Sequence, residues 1–68
     1  MKTGSIVTNG HIVARVTGFK RVFGKDAVRV EWTAEVPIQD HVSGRVEVVP
    51  CLKHDTWLLS SVTMEVEG

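Results

Sequence analysis

The stretch Asp26-Ala27-Val28-Arg29-Val30-Glu31-Trp32-Thr33-Ala34-Glu35-Val36 alternates strictly over most of its length. Val28, Val30, Trp32, Ala34 and Val36 are apolar, while Arg29, Glu31, Thr33 and Glu35 are polar. A period of two places one set of side chains in a core and the other in water, which is the pattern of a β-strand in a half-buried sheet. Pro37 marks the expected end of that strand, and residues 37–43 read as a loop.

Outward from this strand the same pattern recurs. Residues 44–49 alternate again, with Val46 and Val48 expected inward, until Pro50 withholds a ladder donor. Lys53-His54-Asp55 reads as a polar corner, and a last strand is expected over residues 56–67 with Leu58, Val62, Met64 and Val66 in phase. Toward the N-terminus, Asn9-Gly10 separates two short apolar runs, and this pair supplies the positive φ angles of a type I′ hairpin turn. A two-residue turn pairs Thr8 with His11, Val7 with Ile12 and Ile6 with Val13. The second strand then continues to about Gly18, and residues 18–25 form a longer loop. Composition agrees with an all-β chain: Val occurs 13 times, Ile 3 and Thr 6, against 3 Leu, 3 Ala and 2 Met. β-Branched side chains are stiff and suit a pleated surface, whereas good helix formers are scarce.

Five short-connected strands in 68 residues imply one domain over residues 1–68, a strongly bent antiparallel sheet or a small barrel. Gly10-His11-Ile12-Val13 followed by Val28-Arg29-Val30-Glu31-Trp32 resembles a run found in SH3-like small barrels, a class that includes Tudor-like and KOW-like modules. The resemblance implies a barrel core and carries no activity. Gly10-His11-Ile12-Val13, Gly24, Ala27-Val28 and Gly44-Arg45-Val46-Glu47-Val48-Val49-Pro50 also resemble the type B dihydrofolate reductases, small barrels that build one pore from four copies. That family has Val-Gln-Ile-Tyr-Pro where this chain has Val46-Glu47-Val48-Val49-Pro50. Both polar pore residues are replaced here, which speaks against a reductase and leaves the precedent of a small barrel stabilised by oligomerisation.

Size sharpens that point. A chain this short buries roughly 60% of its unfolded surface, and such domains usually need disulfides, a metal or a partner. The single cysteine, Cys51, removes the first option within one chain. The spacing Cys51-Leu52-Lys53-His54 would offer zinc two ligands, with His11, His41 or Asp55 to complete them, but structural zinc usually takes two or more cysteines. No metal or other cofactor is expected, and no acid, base and nucleophile stand at an interpretable spacing for catalysis. Self-association remains. Ile6, Val13, Val49, Trp57 and Leu59 fall out of phase with the expected core positions, so they are assigned to an outer face and to an oligomer or protein-partner interface, with Trp57, Leu59 and Val13 as anchors.

Eight basic and eight acidic residues cancel, which excludes a polyanion binder acting through bulk charge. The charge is nonetheless divided. Residues 1–30 hold six cations and one carboxylate, and residues 31–68 hold two cations and seven carboxylates. The basic half concentrates in Phe19, Lys20, Arg21, Phe23 and Lys25, a mixture of cations and aromatic faces suited to single-stranded nucleic acid and the second functional expectation here. No apolar run reaches the roughly 18 residues of a membrane span. The start lacks a signal-peptide core, so the expected location is cytoplasmic, without membrane partners.

Overall fold

The alternation of residues 26–36 runs on well past its first proline. In a computed structural model, which describes residues 1–67, the strands are β1 (Ile6–Thr8), β2 (Val13–Val22), β3 (Lys25–Gln39), β4 (Val46–Leu58) and β5 (Thr63–Val66), with a single 3-10 turn (Leu59–Ser61) before β5. All five strands form one antiparallel sheet in the order β4-β3-β2-β1-β5. The expected all-β class holds, and no α-helix occurs among the described residues. The two strands at the ends of the order, β4 and β5, do not pair with each other, so the sheet is open and the expected barrel does not close.

Core packing lies at one end of the sheet. Val7, Ala14, Val16, Val28, Val30 and Trp57 form the buried cluster, with Ile12, Trp32 and Val62 packed against it. Trp57 lies directly across from Val28 in the β3–β4 ladder. Its ring centroid is 5.8 Å from that of Trp32, and its indole N–H donates to Asp55 Oδ2 at 3.1 Å. At 7% exposure Trp57 is a core residue, not an outer-face anchor. The reason is register. The β3–β4 ladder is continuous from Ala27↔Leu58 to Gln39↔Val46, so the even residues of β3 share a face with the odd residues of β4. Val49, Cys51 and Trp57 therefore share the face of Val28, Val30 and Val36, while Val46, Val48 and Leu58 turn outward.

Neither proline ends a strand. Pro37 pairs with Val48 and Pro50 with Glu35, two ladder positions apart, so both belong to the same class of pair. A proline is tolerated where its nitrogen points out of the ladder toward a free edge. β4 has such an edge along its whole length, and β3 has one beyond Glu31, where the β2–β3 ladder stops at Arg15↔Glu31. The corner expected at residues 53–55 is part of β4, and the chain bends instead at Leu59–Ser61.

The first hairpin is wider than a two-residue turn. Thr8 pairs with Val13, Val7 with Ala14 and Ile6 with Arg15. Asn9 Oδ1 accepts hydrogen bonds from both His11 N–H and Ile12 N–H at 2.9 Å, and Thr8 Oγ1 donates to the Ile12 carbonyl at 2.9 Å. Asparagine thus caps four loop residues. The shift relative to a tight turn is two residues, an even number, so Val7 and Ile12 stay on the inner face and Ile6 and Val13 on the outer one.

Residues 18–25 are a hairpin and not a loop. β2 passes through Gly18 with a bulge near Thr17 and pairs to Val22↔Lys25, leaving Phe23 and Gly24 as a two-residue turn with φ of +50° and +76°. Positive φ at both positions is type I′ geometry. It costs a residue with a Cβ about 1–2 kcal/mol, least for asparagine. Phe23→Asn should therefore raise the melting temperature, by about 4–8 °C for each kcal/mol gained. An unchanged or lower melting temperature on calorimetry would count against this turn geometry.

Candidate functional site: a two-faced ribbon and a basic hairpin tip

Among the described residues, β3 beyond Glu31 pairs only with β4. Seven pairs, Thr33↔Leu52 to Gln39↔Val46, form a two-stranded ribbon. It is roughly 24 Å long at about 3.4 Å per residue, and it accounts for much of a long axis of 49 Å in a molecule otherwise 26 by 18 Å. The tip is a structured turn. Asp40 N–H donates to the Arg45 carbonyl and Gly44 N–H to the Asp40 carbonyl, both at 2.8 Å, with Gly44 at φ +72°. Val42 N–H also donates to Asp40 Oδ1 at 2.8 Å, and this bond, followed by one from the Ser43 hydroxyl, holds the Asp40 carboxyl below its ordinary range.

Both faces of the ribbon carry apolar side chains, with Thr33, Glu35 and Gln39 of β3 beside them on the outer side and Glu47 on the inner side. Ala34, Val36, Ile38, Val49 and Cys51 share the inner side, while Val46, Val48, Pro50 and Leu52 follow one another along the outer side of β4. Val46, Val48 and Leu52 are 58–62% exposed and Ile38 is 51% exposed. The outer stripe continues across the sheet into a shallow depression of about 370 Å³, where Leu52 and Thr33 meet Val13 and Ile6. At the edge of that depression Arg15 is ion-paired with Glu31.

The expected interface residues therefore separate. Val13 is exposed and Ile6 half-buried on the outer face; Val49 is half-buried on the inner face of the ribbon; Leu59, 40% exposed, stands on the 3-10 turn at the far end, beside Phe19. Only Ile6 and Val13 belong to one patch, and Trp57 leaves the set altogether. Val46, Val48 and Leu52 were missed as outer-face residues, although the spacing of Val46, Val48, Pro50 and Leu52 held that signal once β4 is read through Pro50.

At the opposite end of the long axis the β2–β3 hairpin carries the basic aromatic cluster. Phe23 is 99% exposed at its tip and Phe19 54% exposed on its inner face. Arg21 donates to the Gly24 carbonyl at 2.9 Å and lies 3.6 Å from Asp26. Lys20 and Lys25 point to the other side, where with Val22, Phe23, Thr56 and Leu58 they line a depression of about 490 Å³. Among the described residues neither lysine has an ion-pair partner within 4.0 Å.

The possible metal set does not assemble. Cys51 and His54 are an odd number of positions apart on one strand and so project from opposite faces. Among the described residues no group of three or more His, Cys, Asp or Glu side chains is placed to hold an ion. No helix among them is long and apolar enough to cross a membrane. In comparisons with known proteins the chain matches no family model, no curated protein and no solved structure.

Proposed function

We propose that this chain is a non-catalytic assembly protein that self-associates by laying its ribbon against a second copy. One observation carries the reading: residues 33–39 and 46–52 form a two-stranded ribbon with apolar side chains on both faces, and among the described residues no third strand pairs with it. A two-stranded ribbon is marginal alone in water and needs a further layer. The occupant best supported is another copy. The core cluster of six residues is small for independent stability, and a net charge of zero imposes no long-range repulsion between copies.

Area supports a particular contact. A flat ribbon face of about 24 by 10 Å offers on the order of 240 Å², well short of the roughly 800 Å² per partner of a stable interface. The outer stripe of the ribbon together with Ile6 and Val13 offers more, so the ribbon of one copy lies across the outer face of the other, and reciprocally. The body of the molecule, in which the last strand returns to pair with the first, supports membership of the small-barrel class, with the ribbon projecting from it.

The test is the double substitution Val48→Glu with Leu52→Glu. Both side chains lie outside the core cluster, and surface changes of this kind usually move stability by no more than about 0.5 kcal/mol. The expected result is a shift from oligomer to monomer in light scattering with the tryptophan signal of the folded chain retained. An oligomer of unchanged mass would remove the outer stripe from the interface.

A further inference from the structure

We infer that the β2–β3 hairpin is a binding site for single-stranded nucleic acid, with a base stacked on Phe23 and phosphates on Lys20 and Lys25. Phe23 is 99% exposed and holds a φ of +50°, in a turn where asparagine or glycine would be less strained. An outlier that the fold retains at an exposed tip points to a contact made there. Its surroundings select the ligand. Lys20 and Lys25 flank the aromatic ring over an apolar floor of Val22 and Leu58, whereas Arg21, the third cation, is turned away and held by Gly24 and Asp26. Arg29 is exposed on the same outer face, across the ladder from Thr56, which lines the depression. A flat apolar surface bordered by cations suits bases and phosphates in succession along an unpaired strand.

Duplex is less well served. Reading a groove requires a helix or a two-stranded ribbon to enter it with several phosphate contacts on either side, and here Lys20, Lys25 and Arg29 lie on one face of one hairpin. The carboxylates of the ribbon tip, Asp40 and Glu47, sit at the other end of the molecule. At the hairpin itself the Asp26 carboxylate is taken up by Arg21, which leaves Lys20 and Lys25 to phosphates and the ribbon to the second copy.

The experiment is fluorescence anisotropy with a labelled oligothymidylate of roughly 12 nucleotides, within the span of sites seen for small single-strand binders, alongside a duplex of equal length and phosphatidylserine vesicles. Wild-type protein should bind the single strand at low salt. With Lys20, Lys25 and Arg29 each contributing about 0.7 to the slope, log K should fall by about 2 per decade of salt. Phe23→Asn should weaken binding by roughly tenfold or more while the folded chain is more stable, which separates lost stacking from lost structure. Lys20→Gln with Lys25→Gln should flatten the salt dependence. No binding at low salt, duplex bound as tightly as single strand, binding to vesicles alone, or indifference to Phe23→Asn would each overturn the proposal.

Discussion

Trp57→Ala should leave the chain without a cooperative unfolding transition near room temperature, or with one lowered by at least about 12 °C, since each kcal/mol is worth about 4–8 °C at this size. Trp57 is 7% exposed within the core cluster, lies across from Val28 and stacks at a tilt on Trp32. Its removal leaves a cavity, and truncations of buried aromatics cost about 3–5 kcal/mol. A chain of this length has a total stability of roughly 3–10 kcal/mol, so the loss is about three tenths of it at the least. Circular dichroism against temperature reads the effect. If Trp57→Ala melts like the wild type but has lost self-association, the indole is an interface anchor after all and the β4 register described here is wrong.

The second large effect is loss of assembly without loss of fold. Val36 and Val49 face each other directly and alternate with the proline pairs, so they form the hydrogen-bonded class of pair that a two-residue turn closes. Replacing residues 37–48 with Asn-Gly should therefore shorten the ribbon cleanly. No member of the core cluster is removed. The shortened chain should keep a cooperative melt and run as a monomer at concentrations where the full chain does not. If it unfolds, the ribbon belongs to the stability of the body; if it remains oligomeric, the interface lies elsewhere.

Several parts of this architecture were legible in the sequence because one force acted at each. In residues 28–36 alternation had a single reading, since Arg29, Glu31, Thr33 and Glu35 share the side opposite the core, and the strand covers the stretch where that pattern put it. The ends were not legible. Pro37 and Pro50 carry the signature of strand ends, and only the absence of a neighbouring strand, a tertiary fact, lets both stay within a ladder. Once β4 is divided at Pro50 its phase is lost, because Val46, Val48 and Val49 allow either face to be inward. That division is what moved Trp57 to the outside and Val46 and Val48 to the inside. The missing information was the turn of residues 40–45, which sets the β3–β4 register.

The second hairpin was hidden for a different reason. Phenylalanine is a poor residue for positive φ, so Phe23-Gly24 does not announce a type I′ turn as Asn9-Gly10 does, yet the tight turn forms at the former and a four-residue loop at the latter. At Asn9 the side chain captures two backbone donors and widens the loop. At Phe23 pairing on both flanks, Arg21↔Asp26 and Val22↔Lys25, closes the turn against the local preference. The basic aromatic cluster was thus identified by composition, while its separation into an inner Arg21 and an outer Lys20 and Lys25 required the ladder.

Self-association through the ribbon is the central claim, and the solution mass of the wild-type chain, followed by light scattering or sedimentation across a wide dilution series, tests it most directly. The account predicts at least twice the chain mass at high concentration, passing to the single-chain mass on dilution and shifting little with salt, as expected of a contact made mainly by Val46, Val48, Leu52 and Val13. A single-chain mass at every concentration would contradict it.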